Sequence, residues 1–209
     1  MKRPKLTGAR FVTSAAGAKD LPRSGLAEIA FAGRSNVGKS SLLNELIGRK
    51  LARTSAAPGL TRLANYFEVR LDRGPLFHMV DLPGYGYARG AKHGNAFGSL
   101  VHDYFFGDAD ADLLRPQVAG VVLLVDARHP GLESDLEAWA WLQGQGCQVA
   151  LVATKIDKLS RGERHQAERA LSASHGVHAL VTSILTGEGI DELWKQMLQW
   201  LEPRKSREV

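Results

Sequence analysis

A single cysteine, Cys147, in 209 residues excludes an intrachain disulfide and fits a reducing compartment. It stands at the entry to an apolar stretch and reads as an inert, half-buried thiol. No apolar run reaches the roughly 18 residues that a membrane-spanning helix needs. The greasiest stretch, residues 118–125, ends on an aspartate. The N-terminal segment has no apolar core of the signal-peptide kind, so the expected location is cytoplasmic. Internal repeats and a coiled-coil seam are also absent.

The hydrophobic content of 44% suits one globular domain, and this length can bury a full core. The net charge of +5 is unevenly spread. Residues 1–23 hold Lys2, Arg3, Lys5, Arg10, Lys19 and Arg23 against Asp20, and the remainder is near neutral. With Pro4, Gly8, Gly17 and Pro22, residues 1–24 read as a partly ordered basic arm. Such an arm is either a polyanion contact or a solvated tail. The expected organisation is this arm, a domain over 25–202, and a polar tail at 203–209.

Along the domain, Glu28–Ala32 reads as a buried strand, then a glycine-rich turn, then helix over Lys39–Ile47. Asn65–Val69 and Phe77–Val80 flank the Asp72-Arg73-Gly74 turn as an antiparallel hairpin. Residues 96–106, Leu132–Gln143, Arg161–Ser174 and Gly189–Leu201 have helical patterning. Val118–Val125, Val149–Ala153 and Ala179–Thr182 read as strands between them. This alternation predicts an α/β fold with a mostly parallel sheet covered on both faces. Ligands in such folds bind at the carboxyl ends of the strands.

Gly33-Arg34-Ser35-Asn36-Val37-Gly38-Lys39-Ser40 matches GxxxxGK[ST] between a strand and a helix. Its glycines let backbone amides converge on phosphate oxygens, and the helix N-terminus adds its dipole. Lys39 would reach the β- and γ-phosphates, and Ser40 would ligate Mg2+. Asp81-Leu82-Pro83-Gly84 matches DxxG after a strand. There Asp81 would hold Mg2+ through a water, and the Gly84 amide would sense the γ-phosphate. Thr154-Lys155-Ile156-Asp157 follows another strand. A carboxylate at Asp157 can accept from N1–H and the 2-amino group of guanine, a donor pair adenine lacks. The Lys155 stem would cover the base. Ser183-Ile184-Leu185, after Thr182, resembles the SAK-type loop that lines the guanine O6: Ser183 keeps that pattern and Leu185 replaces its lysine. Thr61, in Pro58-Gly59-Leu60-Thr61-Arg62, is a candidate second hydroxyl ligand of Mg2+; Thr54 and Ser55 are rivals.

These segments resemble the bacterial EngB (YihA/YsxC) family of the TrmE–Era–EngA–EngB–Septin-like GTPases. The resemblance is carried by Ile29–Leu42, Pro58–Arg62, Val80–Ala88 and Thr154–Leu159, and it runs from about residue 8 to residue 201. It implies a P-loop NTPase of three α/β/α layers, with six strands and one antiparallel edge hairpin. It implies GTP and GDP contacts over Gly33–Ser40, Gly59–Leu63, Asp81–Gly84, Thr154–Asp157 and Thr182–Ile184, Leu63 among them. Lys39, Thr61, Gly84 and Asn36 would serve hydrolysis, and Ser40, Thr61 and Asp81 the magnesium. In related GTPases an asparagine at the Asn36 position helps bind K+, so potassium is a candidate second cofactor. The implied role is in assembly of the large ribosomal subunit or its precursor, through rRNA and ribosomal proteins, with a link to cell division and septation. A monomer is expected.

Many small GTPases carry a water-orienting glutamine directly after DxxG. Here that residue is Tyr85, which predicts slow intrinsic turnover. Tyr85 with Arg53, Arg62, Tyr87, Arg89 and Lys92 would form one basic, aromatic patch on the two long loops. The competing reading is a GTP-gated module for a division or septum complex, with Trp139, Trp141, Trp194 and Trp200 as anchors. Packing of most of those rings against the domain is the blander expectation.

Overall fold

Continuous apolar strands and helices with one greasy side assemble in the computed structural model, which describes residues 3–52, 63–85, 98–107, 115 and 117–202. The strands are β1 (Leu6–Ala15), β2 (Glu28–Gly33), β3 (Ala64–Leu71), β4 (Leu76–Asp81), β5 (Val118–Asp126), β6 (Val149–Thr154) and β7 (Leu180–Val181). The helices are α1 (Lys39–Ile47), α2 (Ser99–Phe106), α3 (Glu133–Gly144), α4 (Arg161–His175) and α5 (Ile190–Leu201). The sheet order is β1-β3-β4-β2-β5-β6-β7. β3 pairs antiparallel with both β1 and β4, and the other pairings are parallel, so β3 alone runs against the rest.

Alternation along β5 shows how the two faces are covered. Val122 and Leu124 join the core under α1 and α5, with Leu43, Leu46, Leu193 and Trp194. Val121, Leu123 and Val125 face α2, α3 and α4, with Phe105, Leu142 and Leu171. Period-2 side chains thus serve two helical layers, as a sheet buried on both faces requires. The α4 helix starts at a capping box: Ser160 Oγ accepts from the Glu163 amide, and Glu163 accepts from the Ser160 amide at 2.7 Å.

The expectation of six strands is corrected to seven. Residues 6–15, read as part of a loose arm, form the edge strand β1, so the β3–β4 hairpin is internal. Two register shifts, at Leu6/Gly8 and Phe11/Thr13, explain why alternation did not reveal it. Each changes the phase of the side chains. Leu6 and Ala9 therefore pack on the α1/α5 side, and Val12 and Ala15 on the other. Part of the arm's charge is used internally. Arg3 pairs with Glu45 at 3.1 Å, and Arg10 grips Glu68 through two bonds of 2.9 and 3.0 Å.

A buried ion pair ties the sheet to the end of α2. Arg115 Nη2 donates to the fully buried Glu28 at 2.9 Å, and Nη1 donates to the Tyr104 carbonyl at 2.8 Å. Burial raises the Glu28 carboxyl above its ordinary range, and Arg115 opposes that rise. Among the tryptophans, Trp194 is buried, while Trp139, Trp141 and Trp200 pack partly against the two cores. Cys147 is half-buried, and burial pushes its thiol up to about 11. No helix among the described residues is long and apolar enough to cross a membrane.

Candidate nucleotide site

The parallel strands β2, β4, β6 and β7 end on one edge of the sheet. Each is followed there by a candidate segment: 33–40, 81–84, 154–157 and 182–184. At Gly33 the backbone adopts φ 154, and an added Cβ would stand 2.7 Å from the Leu124 carbonyl. Only glycine lets the chain turn this close to β5. Asn36 and Gly38 follow with φ of 64 and 114, and α1 begins at Lys39. Asparagine tolerates the left-handed region better than other side chains do, so Asn36 has a backbone reason to be there apart from any potassium ion.

Lys39 is buried, and its Nζ donates to the carbonyls of Gly33 at 3.0 Å and Arg34 at 3.4 Å. Burial lowers its pKa, and the charge of Asp81 works against that. A buried ammonium held by neutral carbonyls beside a helix N-terminus is suited to an anionic ligand. Ser40 Oγ donates to Asp81 Oδ2 at 3.0 Å. Asp81 Oδ1 is buried with no hydrogen-bond partner among the described residues, and burial raises the carboxyl. A hydroxyl and a carboxylate with unused lone pairs are hard oxygen donors, which fits Mg2+. The metal would relieve the desolvated charge that now leans on Ser40 and Lys39.

Leu82 is fully buried, and its amide donates to the Phe31 carbonyl at 3.0 Å. Gly84 lies against the phosphate loop, where a Cβ would meet Ser35 Oγ at 2.7 Å and Ser35 N at 2.8 Å. Tyr85 accepts the Ser35 amide at 3.3 Å. The expectation that Tyr85 offers an exposed ring is corrected. It is buried, and its hydroxyl donates to Asp135 on α3 at 2.9 Å. The ring fills the α2/α3-side core between helix and sheet.

At the end of β6, Thr154 Oγ1 donates to the Val37 carbonyl at 2.8 Å, joining this segment to the phosphate loop. Lys155 reaches the same loop, its Nζ donating to the Asn36 carbonyl at 2.8 Å and to Asp126 at 3.0 Å. Among the described residues Asn36 and Lys155 are the non-glycine positions with positive φ, and they are bonded to each other. Left-handed backbone at such residues costs of order 1–3 kcal/mol and persists where surroundings enforce it. Ile156 is buried behind them.

Asp157 accepts from Ser183 Oγ at 2.8 Å, and this bond holds its carboxyl below the ordinary range. Ser183 Oγ in turn accepts the amides of Leu185 and Thr186 at 3.2 Å. The serine thus aims the carboxylate and shapes the loop. Leu185, the departure from lysine, is 74% exposed and contributes to that shape through its amide. Thr182 is buried on the Ala153 carbonyl, and Ile184 is exposed.

Gly59, Leu60, Thr61 and Arg62 lie outside the described residues, as do Arg53, Tyr87, Arg89 and Lys92. Leu63 is exposed just before β3. Two residues beside the site belong to none of the motifs: Asp135, which holds Tyr85, and Asp126. Asp126, at the carboxyl end of β5, accepts from Lys155 and is gripped by Arg128 through bonds of 2.9 and 2.7 Å. Burial works to raise this carboxyl, but the bonds from Arg128 and Lys155 outweigh it and hold it far below the ordinary range. Its position at a strand end, after an apolar run, was the available signal.

Against known proteins, residues 28–155 match the family model described as 50S ribosome-binding GTPase. A probable GTP-binding protein EngB from Pelotomaculum thermopropionicum is 42% identical over 94% of this chain and 97% of its own length. One from Chlorobaculum parvum is 44% identical over 92% and 96%. Among solved structures, a probable GTP-binding protein engB superposes with a TM-score of 0.60 at 23% identity, covering 84% of this chain and 98% of its own. Era in complex with MgGDPNP and nucleotides 1506–1542 of 16S ribosomal RNA gives a TM-score of 0.66 at 25% identity, over 85% of this chain and 57% of that one.

Proposed function

The chain belongs to the EngB family of GTP-binding proteins and carries a GTPase domain, and on that footing we propose that it is a magnesium-dependent GTP switch acting in large ribosomal subunit assembly. In this reading it is cytoplasmic and monomeric, turns GTP over slowly, and is needed for normal cell division. One observation carries the nucleotide part: the segments 33–40, 81–84 and 154–157 are cross-bonded at one sheet edge by Ser40–Asp81, Thr154–Val37 and Lys155–Asn36.

Lys39 and the amides of 33–40 bind the phosphates. Asp157, aimed by Ser183, reads N1–H and the 2-amino group of guanine, and its desolvation rejects adenine. Ser40 and Asp81 hold Mg2+, with Thr61 as the proposed second hydroxyl; bound there, the ion neutralises charge on the β- and γ-phosphates. The Gly84 amide detects the γ-phosphate. Tyr85 turns inward to Asp135. That leaves the position after DxxG without a water-orienting group and supports slow turnover. The description of the matching family model, 50S ribosome-binding GTPase, supports the large subunit as partner. The packing of Trp194, Trp139, Trp141 and Trp200 weighs against a tryptophan-anchored division complex.

Replacing Asp157 by asparagine tests base reading directly. Competition binding should show GDP affinity falling by roughly 100-fold or more, from loss of charge-assisted bonds of about 1.5–3 kcal/mol each, with XDP gaining on GDP. Unchanged GDP affinity in a folded D157N protein would put guanine recognition elsewhere.

A further inference from the structure

Asp135 lies outside every nucleotide motif, and yet it is a carboxylate almost wholly removed from water. It is 1% exposed, in the first turn of α3. A carboxylate there is costly unless bonded, and the bond it makes is with the hydroxyl of Tyr85, the residue directly after Gly84. The same Tyr85 is held at its backbone, since its carbonyl accepts the Ser35 amide and it forms an isolated parallel bridge with Arg34. Tyr85 is therefore pinned twice, to the phosphate loop by main chain and to α3 by side chain. The main-chain pin occupies an amide of the 33–40 turn, whose amides otherwise face phosphate oxygens. Gly84 itself lies closed against Ser35 of the turn, and in the switch reading above its amide is the group that meets the γ-phosphate.

We propose that Asp135 is a positioning residue for γ-phosphate discrimination: by holding the Tyr85 hydroxyl it keeps Gly84 and Tyr85 docked on Ser35, favouring the diphosphate-bound state over the triphosphate-bound state. The inference rests on the nucleotide-switch reading above and adds a regulator to it. Arg34 lies close enough to both groups to oppose the rise that burial causes in their pKa values, so the cluster joins turn, loop and helix electrostatically. α3 also carries Trp139 and Trp141, and Trp141 meets Phe105 of α2 edge-on at 5.3 Å. Undocking of Tyr85 would thus reach the face formed by α2 and α3.

The test uses the full chain with Tyr85→Phe, Asp135→Ala and Asp135→Asn, the last keeping an acceptor oxygen. Dissociation constants are measured for GDP and a non-hydrolysable GTP analogue, and Ser35 amide exchange is followed by NMR without nucleotide. Y85F and D135A should each shift the analogue-to-GDP preference toward the analogue by roughly 5- to 10-fold, the worth of one hydrogen bond. Their double variant should shift it no further, because both remove the same bond. D135N should stay within about 2-fold of wild type. Ser35 exchange should quicken in Y85F and D135A. An unchanged or reversed preference in Y85F and D135A overturns the proposal, and so does Ser35 exchange equal to wild type in both. Failure of the wild type to bind either nucleotide would sink the switch reading instead, while the exchange measurement still decides whether the tether exists.

Discussion

Asp135→Asn should stabilise this protein at neutral pH, and the gain should fade as the solution is acidified. Burial pushes the Asp135 carboxyl up to about 6 from 3.8, although the Tyr85 hydroxyl and Arg34 pull the other way. A carboxyl with a raised folded-state pKa keeps a proton that the unfolded chain has lost. Stability therefore falls as pH rises from the unfolded value to the folded one, and stays reduced above it. A shift of about 2 units corresponds to about 3 kcal/mol. Asparagine removes the charge and keeps an acceptor for Tyr85, so it recovers at most that amount at pH 8. About half should remain at pH 5, where the native carboxyl is mostly protonated but the unfolded one is not. Thermal unfolding of both proteins without nucleotide, from pH 5 to 8, measures the difference; other titrating groups cancel between them. For a chain of this size 3 kcal/mol is roughly 6–12 °C in Tm. A D135N protein less stable than wild type at pH 8, or a gain independent of pH, would refute the claim that a desolvated charge is kept there against stability.

Arg115→Met should destabilise the fold by about 3–5 kcal/mol in denaturant titrations, because it strands the fully buried Glu28; adding Glu28→Gln should restore much of that. GTP hydrolysis at equal ionic strength should run faster in potassium than in sodium if Asn36 helps hold a cation beside the phosphates. Equal rates would leave its left-handed backbone, φ 64, as the reason for asparagine at this position.

Strands with an unbroken apolar run or clean alternation were legible in the sequence. The helix expected at Lys39–Ile47 has those bounds in the structure, and Val118–Val125 is extended only by Asp126. Both signals are local, arising from side-chain periodicity and a glycine turn. β1 was not legible, because its two register shifts scramble the period and its burial depends on β3, whose paired residues lie 49 to 65 positions along the chain. The same holds around the site. Segments 33–40, 81–84 and 154–157 announce themselves by spacing, since phosphate and base contacts demand particular residues in order. Asp126 and Asp135 act through a second side chain, Lys155 or Tyr85, and no fixed spacing marks such a link.

The most direct test of the account is quantitative sedimentation of the protein with purified large ribosomal subunits, in GDP and in a non-hydrolysable GTP analogue, from low to physiological salt. Binding should be tighter with the analogue, and affinity should fall as salt rises through release of counterions from rRNA. Removing residues 1–20 would strip β1 from the sheet, so the arm is probed instead by Lys5→Gln, Lys19→Gln and Arg23→Gln together, all three exposed in the structure. That variant should bind with a shallower salt dependence and an unchanged nucleotide preference. Equal affinity in both nucleotide states, with no dependence on salt, would rule out a nucleotide-switched contact with rRNA.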